Sequence, residues 1–340
     1  MIITSVRSGE PSGEEHRVRI AFVGKGGSGK TTLSALFTRY LVNQNIPVLA
    51  IDADINQHLG QALGLDDRAL AAIPALGSHL DWLKDHLRAD NPRITSAAAM
   101  IKTTPPGRGS RLLRYDPDDE LHRRFAWPVG GARLMVTGEF AEDDIGVACY
   151  HSKTGAVELY LNHLIDGPAE CVVVDMTAGA DAFASGLFTR FDLVVLVCEP
   201  TRRGVKVYQQ FRQHTGGHQV RLRVIGNKVT DHADVAFLRG EVGEAVLGHV
   251  AHSSWVRAAE QGDPPPFGAL EPPIRATLAA LHSELVAIER DWAAYHRNTV
   301  RFHLRNAHAW ANRSVGADLA EQIDPDFLPG PAAVGSAVHG

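Results

Sequence analysis

Apolar residues along this chain follow two alternating patterns. Short runs that are apolar almost throughout, at 18–23, 48–51, 171–174 and 193–198, read as parallel strands buried on both faces. Similar runs at 133–137, 220–226 and 246–250 add three more. Between the runs, apolar residues recur every three or four positions. Leu33, Leu36, Phe37, Tyr40 and Leu41 make one helical face. Leu80, Leu83 and Leu87 make a short one, and Val157, Leu161, Leu164 and Ile165 another. Thr201 is placed to cap a helix after the strand at 193–198. Strands alternating with helices predict an α/β domain with a doubly wound, mainly parallel sheet.

The pattern changes at Asp263-Pro-Pro-Pro-Phe267, which sets the expected core at about 17–262. Beyond it, Leu278, Leu281, Leu285, Ile288, Trp292 and Tyr295 alternate by three and four, a heptad-like stripe in a C-terminal helical extension of about 270–321. That stripe either packs on the chain's own core or serves dimerisation or a partner. From about 322 to 340 the chain is rich in Pro, Gly and Ala and is expected to be disordered. Residues 1–16, with Glu10, Pro11, Glu14 and Glu15, read as a flexible leader. An insertion of about 88–131 is less legible. Its stretch 103–114 carries Pro105, Pro106, Gly107 and Gly109 beside Arg108, Arg111 and Arg114, and reads as a solvated loop or a partner-binding one.

Composition narrows the class. A net charge of −5 gives no general attraction to nucleic acid or to an anionic membrane, though a local basic patch stays open. No apolar run is long enough to span a bilayer, and the leader lacks an apolar signal-peptide core. Three cysteines, Cys149, Cys171 and Cys198, suggest no disulfide framework, so the chain is expected to be cytoplasmic.

The candidate chemistry gathers after the first strand. Gly24-Lys25-Gly26-Gly27-Ser28-Gly29-Lys30-Thr31-Thr32 satisfies the phosphate-loop pattern G-x-x-x-x-G-K-[ST]. Glycines let the backbone curl around an anion, and its N–H groups point inward as a nest. The helix that follows aims its positive end at the same place. Lys30 can reach the β- and γ-phosphates, and the Thr31 hydroxyl can ligate Mg²⁺. Acidic residues end two further strands, Asp52 and Asp54 after 48–51 and Asp175 after 171–174, where open α/β sheets bind ligands. Asp54 also suits an N-cap for the segment from Asn56.

Lys25, directly after the first glycine, gives Lys-Gly-Gly-Ser-Gly-Lys-Thr. This resembles the deviant phosphate loop of the ATPases that include the cell-division and plasmid-partition ATPases and the nitrogenase iron protein. Asp52-Ala-Asp54-Ile-Asn56-Gln-His-Leu59 resembles the family's switch I, most closely in its nickel-insertion branch, with Ile55 replacing the usual proline. Asp175-Met-Thr-Ala-Gly179 resembles switch II, and Asn227-Lys228-Val229 the base site. The resemblance covers about 17–260.

It implies a Mg²⁺-dependent ATP hydrolase that forms a nucleotide-dependent homodimer and acts on an unknown protein client. Lys25 would cross to the partner's nucleotide, and Asp54 would position water. Asp52 and Asp175 would support Mg²⁺, in part through water. Gly179 would meet the γ-phosphate. Asn227, with Lys228 beside it, would read adenine; the plainer alternative for Asn227 is a strand-end cap. Thr230 stands two residues after Lys228 where an Asp would read guanine, which favours ATP over GTP.

Cys149 and His151 stand where the nickel-insertion branch has Cys-x-Cys. Two such pairs across a dimer axis would make a Cys₂His₂ site for Zn²⁺ or Ni²⁺; the alternative is a site that has been lost. Three other functions stay open: a positioning or partition ATPase acting on DNA or membrane, an electron-transfer ATPase, and a small-molecule kinase.

Overall fold

A computed structural model describes residues 18–54, 56–138, 150–165, 170–177, 183 and 186–335. The strands are β1 Val18–Gly24, β2 Val48–Ala53, β3 Trp127–Val129, β4 Ala132–Val136, β5 Cys171–Met176, β6 Leu193–Cys198, β7 Leu222–Val229 and β8 Val246–Ala251. They form one sheet in the order β3-β4-β2-β5-β1-β6-β7-β8. Every pairing is parallel except that of β3 with β4. The short β3 is not legible as an apolar run. It contains Pro128, which a sheet tolerates at its edge.

The helices are α1 Lys30–Asn43, α2 Leu59–Ala62, α3 Asp67–Ala72, α4 Leu80–Arg88, α5 Glu120–Phe125 and α6 Tyr150–His163. They continue with α7 Arg202–Thr215, α8 His232–Val242, α9 Ser254–Glu260, α10 Pro272–Val286 and α11 Trp292–Asn306. None of the helices among the described residues is long and apolar enough to cross a membrane.

Both faces of the sheet are covered, which is why its central strands are apolar at every second position on each side. Ile20 and Phe22 of β1 pack in one cluster with Leu33, Leu36 and Phe37 of α1 and with Leu278, Leu281 and Leu285 of α10. Ala21 and Val23 point the other way, into a cluster with Val157 and Leu161 of α6 and Val205, Tyr208 and Phe211 of α7. Each fully buried leucine contributes about 2 kcal/mol of transfer free energy.

The C-terminal stripe divides into two elements. Its first half, on α10, covers the chain's own sheet. The helix stops at Ala287, and Asp291 caps α11 by accepting from the Ala294 N–H at 2.8 Å. The second half is held through polar contacts. Arg19 of β1 is fully buried and donates to the Tyr295 hydroxyl at 2.8 Å and the Leu161 carbonyl at 3.0 Å. Arg290, between the two helices, donates to Asp192 at 2.8 Å. A single apolar seam for a partner is therefore absent from 278–295 among the described residues.

Two further expectations are corrected. The start of the stretch 322–340 is held to the core at Gln322 and Asp324, where its composition suggested disorder. Gln322 donates to the Ala99 carbonyl at 2.8 Å, and Asp324, 3% exposed, accepts from Arg108 Nε at 3.1 Å. The stretch 103–114 is correspondingly no solvated loop: Thr103, Thr104 and Ser110 are buried, and Arg108 clamps the tail. Neither contact leaves a hydrophobic period in the sequence. The leader, 1–16, and residues 336–340 lie outside the described residues.

Candidate functional site

β1 is flanked by β5 on one side and β6 on the other, so the chain leaves its neighbours in opposite directions. That crevice at the carboxyl ends is where open α/β sheets bind ligands. The loop from Gly24 to Gly29 occupies it. A Cβ on Gly24 would lie 2.6 Å from the Val197 carbonyl oxygen, so β6 approaches too closely for any other residue. Gly29 has φ +94°, and a Cβ there would lie 2.1 Å from Asn227 Nδ2. Lys25, Gly26 and Gly27 are exposed. The Ser28 hydroxyl is buried and has no hydrogen-bond partner among the described residues. Gly29 gives α1 no side-chain cap, so the first N–H groups of that helix are left to an external anion.

Three buried carboxylates meet one buried cation beneath the loop. Lys30, 6% exposed, has its Nζ 3.4 Å from Asp54 Oδ2. The Thr31 hydroxyl donates to Asp175 Oδ2 at 2.6 Å. Ser34, one turn on, donates to the Lys30 carbonyl at 2.9 Å and stands 3.4 Å from Asp175 Oδ1. Asp52 and Asp175 are register partners on β2 and β5. Asp52 is turned to its own loop, accepting from the Leu59 N–H at 2.8 Å and the Asp54 N–H at 3.2 Å. Asp54 accepts from the Asn56 N–H at 3.2 Å in a local turn, and it caps no helix, since the next one, α2, begins at Leu59 after His58.

Burial pushes the Asp175 carboxyl up to about 7, against the pull of the Thr31 hydrogen bond and of Lys30. Burial, and then the charge of Asp175, holds Asp52 well above the usual carboxylate range. A site with more buried carboxylate than cation, a hydroxyl beside it and an orphaned serine fits Mg²⁺ with a triphosphate. Thr31 and Asp175 stand where they would hold the ion, with Asp54 alongside and Asp52 behind in support.

The raised pKa has a measurable cost without ligand. In the unfolded chain Asp175 ionises near 3.8; in the folded chain it does so near 7. Between these values the native state holds the extra proton, so its stabilising contribution is full below 3.8 and is lost as pH rises through 7. Asp175→Asn, which keeps an acceptor for Thr31, should therefore stabilise the ligand-free protein above pH 7 by up to about 4 kcal/mol. The difference should vanish near pH 4. Urea midpoints at both pH values check this; equal midpoints above pH 7 would contradict it.

Residues from β7 close the flank. Asn227 donates its amide to the Ser28 carbonyl at 2.7 Å. Lys228, at φ +58°, donates to the Gly27 carbonyl and to Glu199, each at 2.7 Å. Both thus fasten the loop, and the Asn227 donor is engaged there. Thr230 is bonded to Asp234 through N–H and hydroxyl at 2.8 and 2.7 Å. Thr32 turns away from the loop and donates to Glu260 of α9 at 3.3 Å.

Gly179 and Cys149 lie outside the described residues, as does the side chain of His151, whose backbone follows Tyr150 in the first turn of α6. Among the described residues no group of three or more His, Cys, Asp or Glu could hold a metal on its own ligands. Cys171 and Cys198 are buried in strands, and burial pushes both thiols up, that of Cys198 to about 12, so neither is poised as a thiolate.

Ser34, Glu199 and Thr137 were missed from sequence. Ser34 carries a signal, being a hydroxyl on the sheet-facing side of an apolar helix. Thr137 holds switch I by accepting from Gln57 at 3.1 Å and donating to the Asp52 carbonyl at 3.0 Å, and no local pattern marks it.

Residues 20–265 match the CobQ/CobB/MinD/ParA nucleotide binding domain. Over 246 residues the chain is 26% identical to the carbon monoxide dehydrogenase accessory protein CooC of Rhodospirillum rubrum, covering 72% of this chain and 87% of that protein. An uncharacterized ATP-binding protein of Methanocaldococcus jannaschii is also 26% identical, over 72% of this chain and 88% of its own. Among solved structures, a ParA family ATPase from Chlorobium tepidum superposes with a TM-score of 0.56 at 15% identity, over 78% of this chain and 98% of that one. A complex of a Cyanothece McdA variant with ATP gives 0.52 at 14% identity, over 82% and 99%.

Proposed function

The chain belongs to the CobQ/CobB/MinD/ParA nucleotide-binding family, and from that premise we propose a Mg²⁺-dependent ATP hydrolase that works as a dimeric switch on a protein client. The observation that carries this reading is the Thr31–Asp175 hydrogen bond at 2.6 Å, set beside the buried Lys30–Asp54 pair under a glycine loop. Bound ATP places its phosphates against the loop N–H groups and the start of α1. Lys30 leaves Asp54 for the phosphate oxygens, because triphosphate is the larger negative charge. Asp54 is then released to orient a water for in-line attack. Thr31 and Asp175 would hold Mg²⁺, which would supply neutralisation of the triphosphate's charge. By the resemblance, Gly179 would meet the γ-phosphate, so that loss of this phosphate on hydrolysis would be felt in switch II. Asn227 lies at the base end of the loop. Its amide oxygen is available to an adenine amino group while its nitrogen keeps Ser28 in place. The core of this function is the stretch 17–262.

The client role rests on the likeness to a carbon monoxide dehydrogenase accessory protein, and we read this chain as an accessory or maturation ATPase. Within that reading, Cys149 and His151 of two copies would share a Zn²⁺ or Ni²⁺ ion. A partition-type positioning ATPase is the alternative to weigh.

Asp54→Asn should bind ATP and stay dimeric with it unhydrolysed. Light scattering on apo, ADP and ATP samples, with metal analysis of the same peak, tests both parts. An ATP-dependent dimer is expected, with about one metal ion per two chains that is lost in Cys149→Ser. Normal hydrolysis by Asp54→Asn would show that another group positions the water. A nucleotide-bound monomer would remove the dimeric switch and turn attention to phosphate transfer onto a small molecule.

A further inference from the structure

From Pro200 to Thr230 the chain has seven arginines and lysines and no aspartate or glutamate, in a protein of net charge −5. Nearly half of that stretch is α7. Its inner side, Gly204, Val205, Tyr208, Phe211 and Thr215, is buried. Its outer side carries Arg202, Arg203 and Lys206 and then Gln209, Gln210 and Gln213, all exposed. Among the described residues the three cations have no ion pair or hydrogen bond. By contrast, Arg223 and Lys228, in the same stretch, are paired with Glu284 and Glu199.

The three cations also stand at the wrong end for helix stability. They fill the first turns of α7, where the helix dipole is positive and acidic residues are favoured, and its first turn has none. A solvated face needs neither this placement nor the absence of acid. An anionic partner explains both.

We infer that the outer face of α7 is the docking surface for an acidic protein segment, the client contact of the switch; this rests on the ATPase reading above. Three cations within about one helical turn match a short run of carboxylates. The glutamines beyond them offer amides to an extended backbone. The same three would neutralise only about three phosphates, too few to hold a duplex firmly at physiological salt against the protein's net negative charge.

The position of α7 lets the surface report on nucleotide. The helix starts four residues after Cys198, and Glu199 between them holds Lys228 on the phosphate loop. On its inner side, Phe183, just beyond the switch II stretch, packs its ring 4.2 Å from that of Phe211 and 5.0 Å from that of His214. Rearrangement of either loop moves the helix, and an acidic segment on its outer side binds one arrangement better than the other.

The test is fluorescence anisotropy with a labelled oligoglutamate and, separately, a labelled DNA duplex at physiological salt. The Asp54→Asn protein is used without nucleotide, with ADP and with ATP, and ATP binding is measured in the same samples. Oligoglutamate should bind. The triple change Arg202→Glu, Arg203→Glu, Lys206→Glu should weaken it about tenfold or more without changing ATP affinity. Arg313→Glu, at an exposed arginine outside α7, should have no effect. Affinity should differ severalfold between ADP and ATP.

Absent binding in every state, or undiminished binding by the triple variant, overturns the surface. Equal affinity with ADP and ATP overturns its coupling to nucleotide. Tighter binding of duplex, lost in the triple variant, overturns the acidic client in favour of nucleic acid. Failure of the protein to bind ATP overturns the ATPase reading instead, and the nucleotide-free arm still judges the surface.

Discussion

Lys30→Ala is expected to abolish ATP binding, weakening it by at least about a thousandfold. Lys30 is the one buried cation among three buried carboxylates in the described site, and its Nζ lies 3.4 Å from Asp54. Its charge also helps Asp175 to ionise against burial. Removing it has two consequences of the same sign. The incoming triphosphate loses a charge-assisted contact at its β- and γ-oxygens, and it meets carboxylates no longer offset by any cation. Truncating one member of a buried, hydrogen-bonded charge pair costs about 2–5 kcal/mol, and here the ligand's own charge adds to that. Calorimetric titration with Mg²⁺ and ATP measures the loss, with circular dichroism to show that the variant is folded. Affinity within about tenfold of the parent protein would mean that the loop N–H groups and the start of α1 carry the phosphates without it. Lys30→Arg is not a conservative rescue, since the enclosed site has to accept a planar guanidinium where a compact ammonium fits.

The parts of this site that could be read from sequence are those that phosphate chemistry restricts to one or two residue types. Gly29 admits no Cβ because Asn227 Nδ2 would lie 2.1 Å from it. Asp52 and Asp175 are visible because a carboxylate at the end of an apolar strand interrupts the apolar run where open α/β sheets bind ligands. The strands themselves were legible because burial on both faces leaves uninterrupted apolar runs, and the short β3 was not, for want of length and because of Pro128.

What escaped was fixed by polar contacts between distant parts of the chain. Arg108 and Asp324 stand 216 residues apart, and nothing local marks either as one half of an ion pair. Arg19 did leave a sign, a charge inside a strand apolar on either side of it. Its partners on α6 and α11 could not be inferred, nor that the C-terminal extension docks through them. Apolar periodicity therefore reports which face is buried, and it is silent about the hydrogen bonds that decide where a polar segment comes to rest.

Lys25→Ala is expected to leave ATP affinity nearly unchanged while lowering turnover by about a thousandfold, the scale of a transition-state cation supplied in trans. The two lysines of the loop divide plainly by environment. Lys30 is buried beneath the loop and paired; Lys25 is exposed at the tip of the loop, and its side chain has no hydrogen bond or ion pair among the described residues. Its carbonyl accepts from the Ser28 N–H at 3.1 Å, which holds the turn that presents the side chain outward. On the dimeric reading proposed above, that outward lysine would reach the second molecule's nucleotide. Mixing separates action across a dimer from action within one chain. Lys25→Ala keeps Asp54, and Asp54→Asn keeps Lys25, and each should be nearly inactive alone. In a mixed dimer, the site on the Lys25→Ala chain has its own Asp54 and receives Lys25 from the other chain. Random pairing of equal amounts then makes about a quarter of all sites competent, so activity should return to about that fraction of the parent rate. If Lys25 serves its own chain, no site in the mixture has both groups, and the mixture stays as inactive as its components.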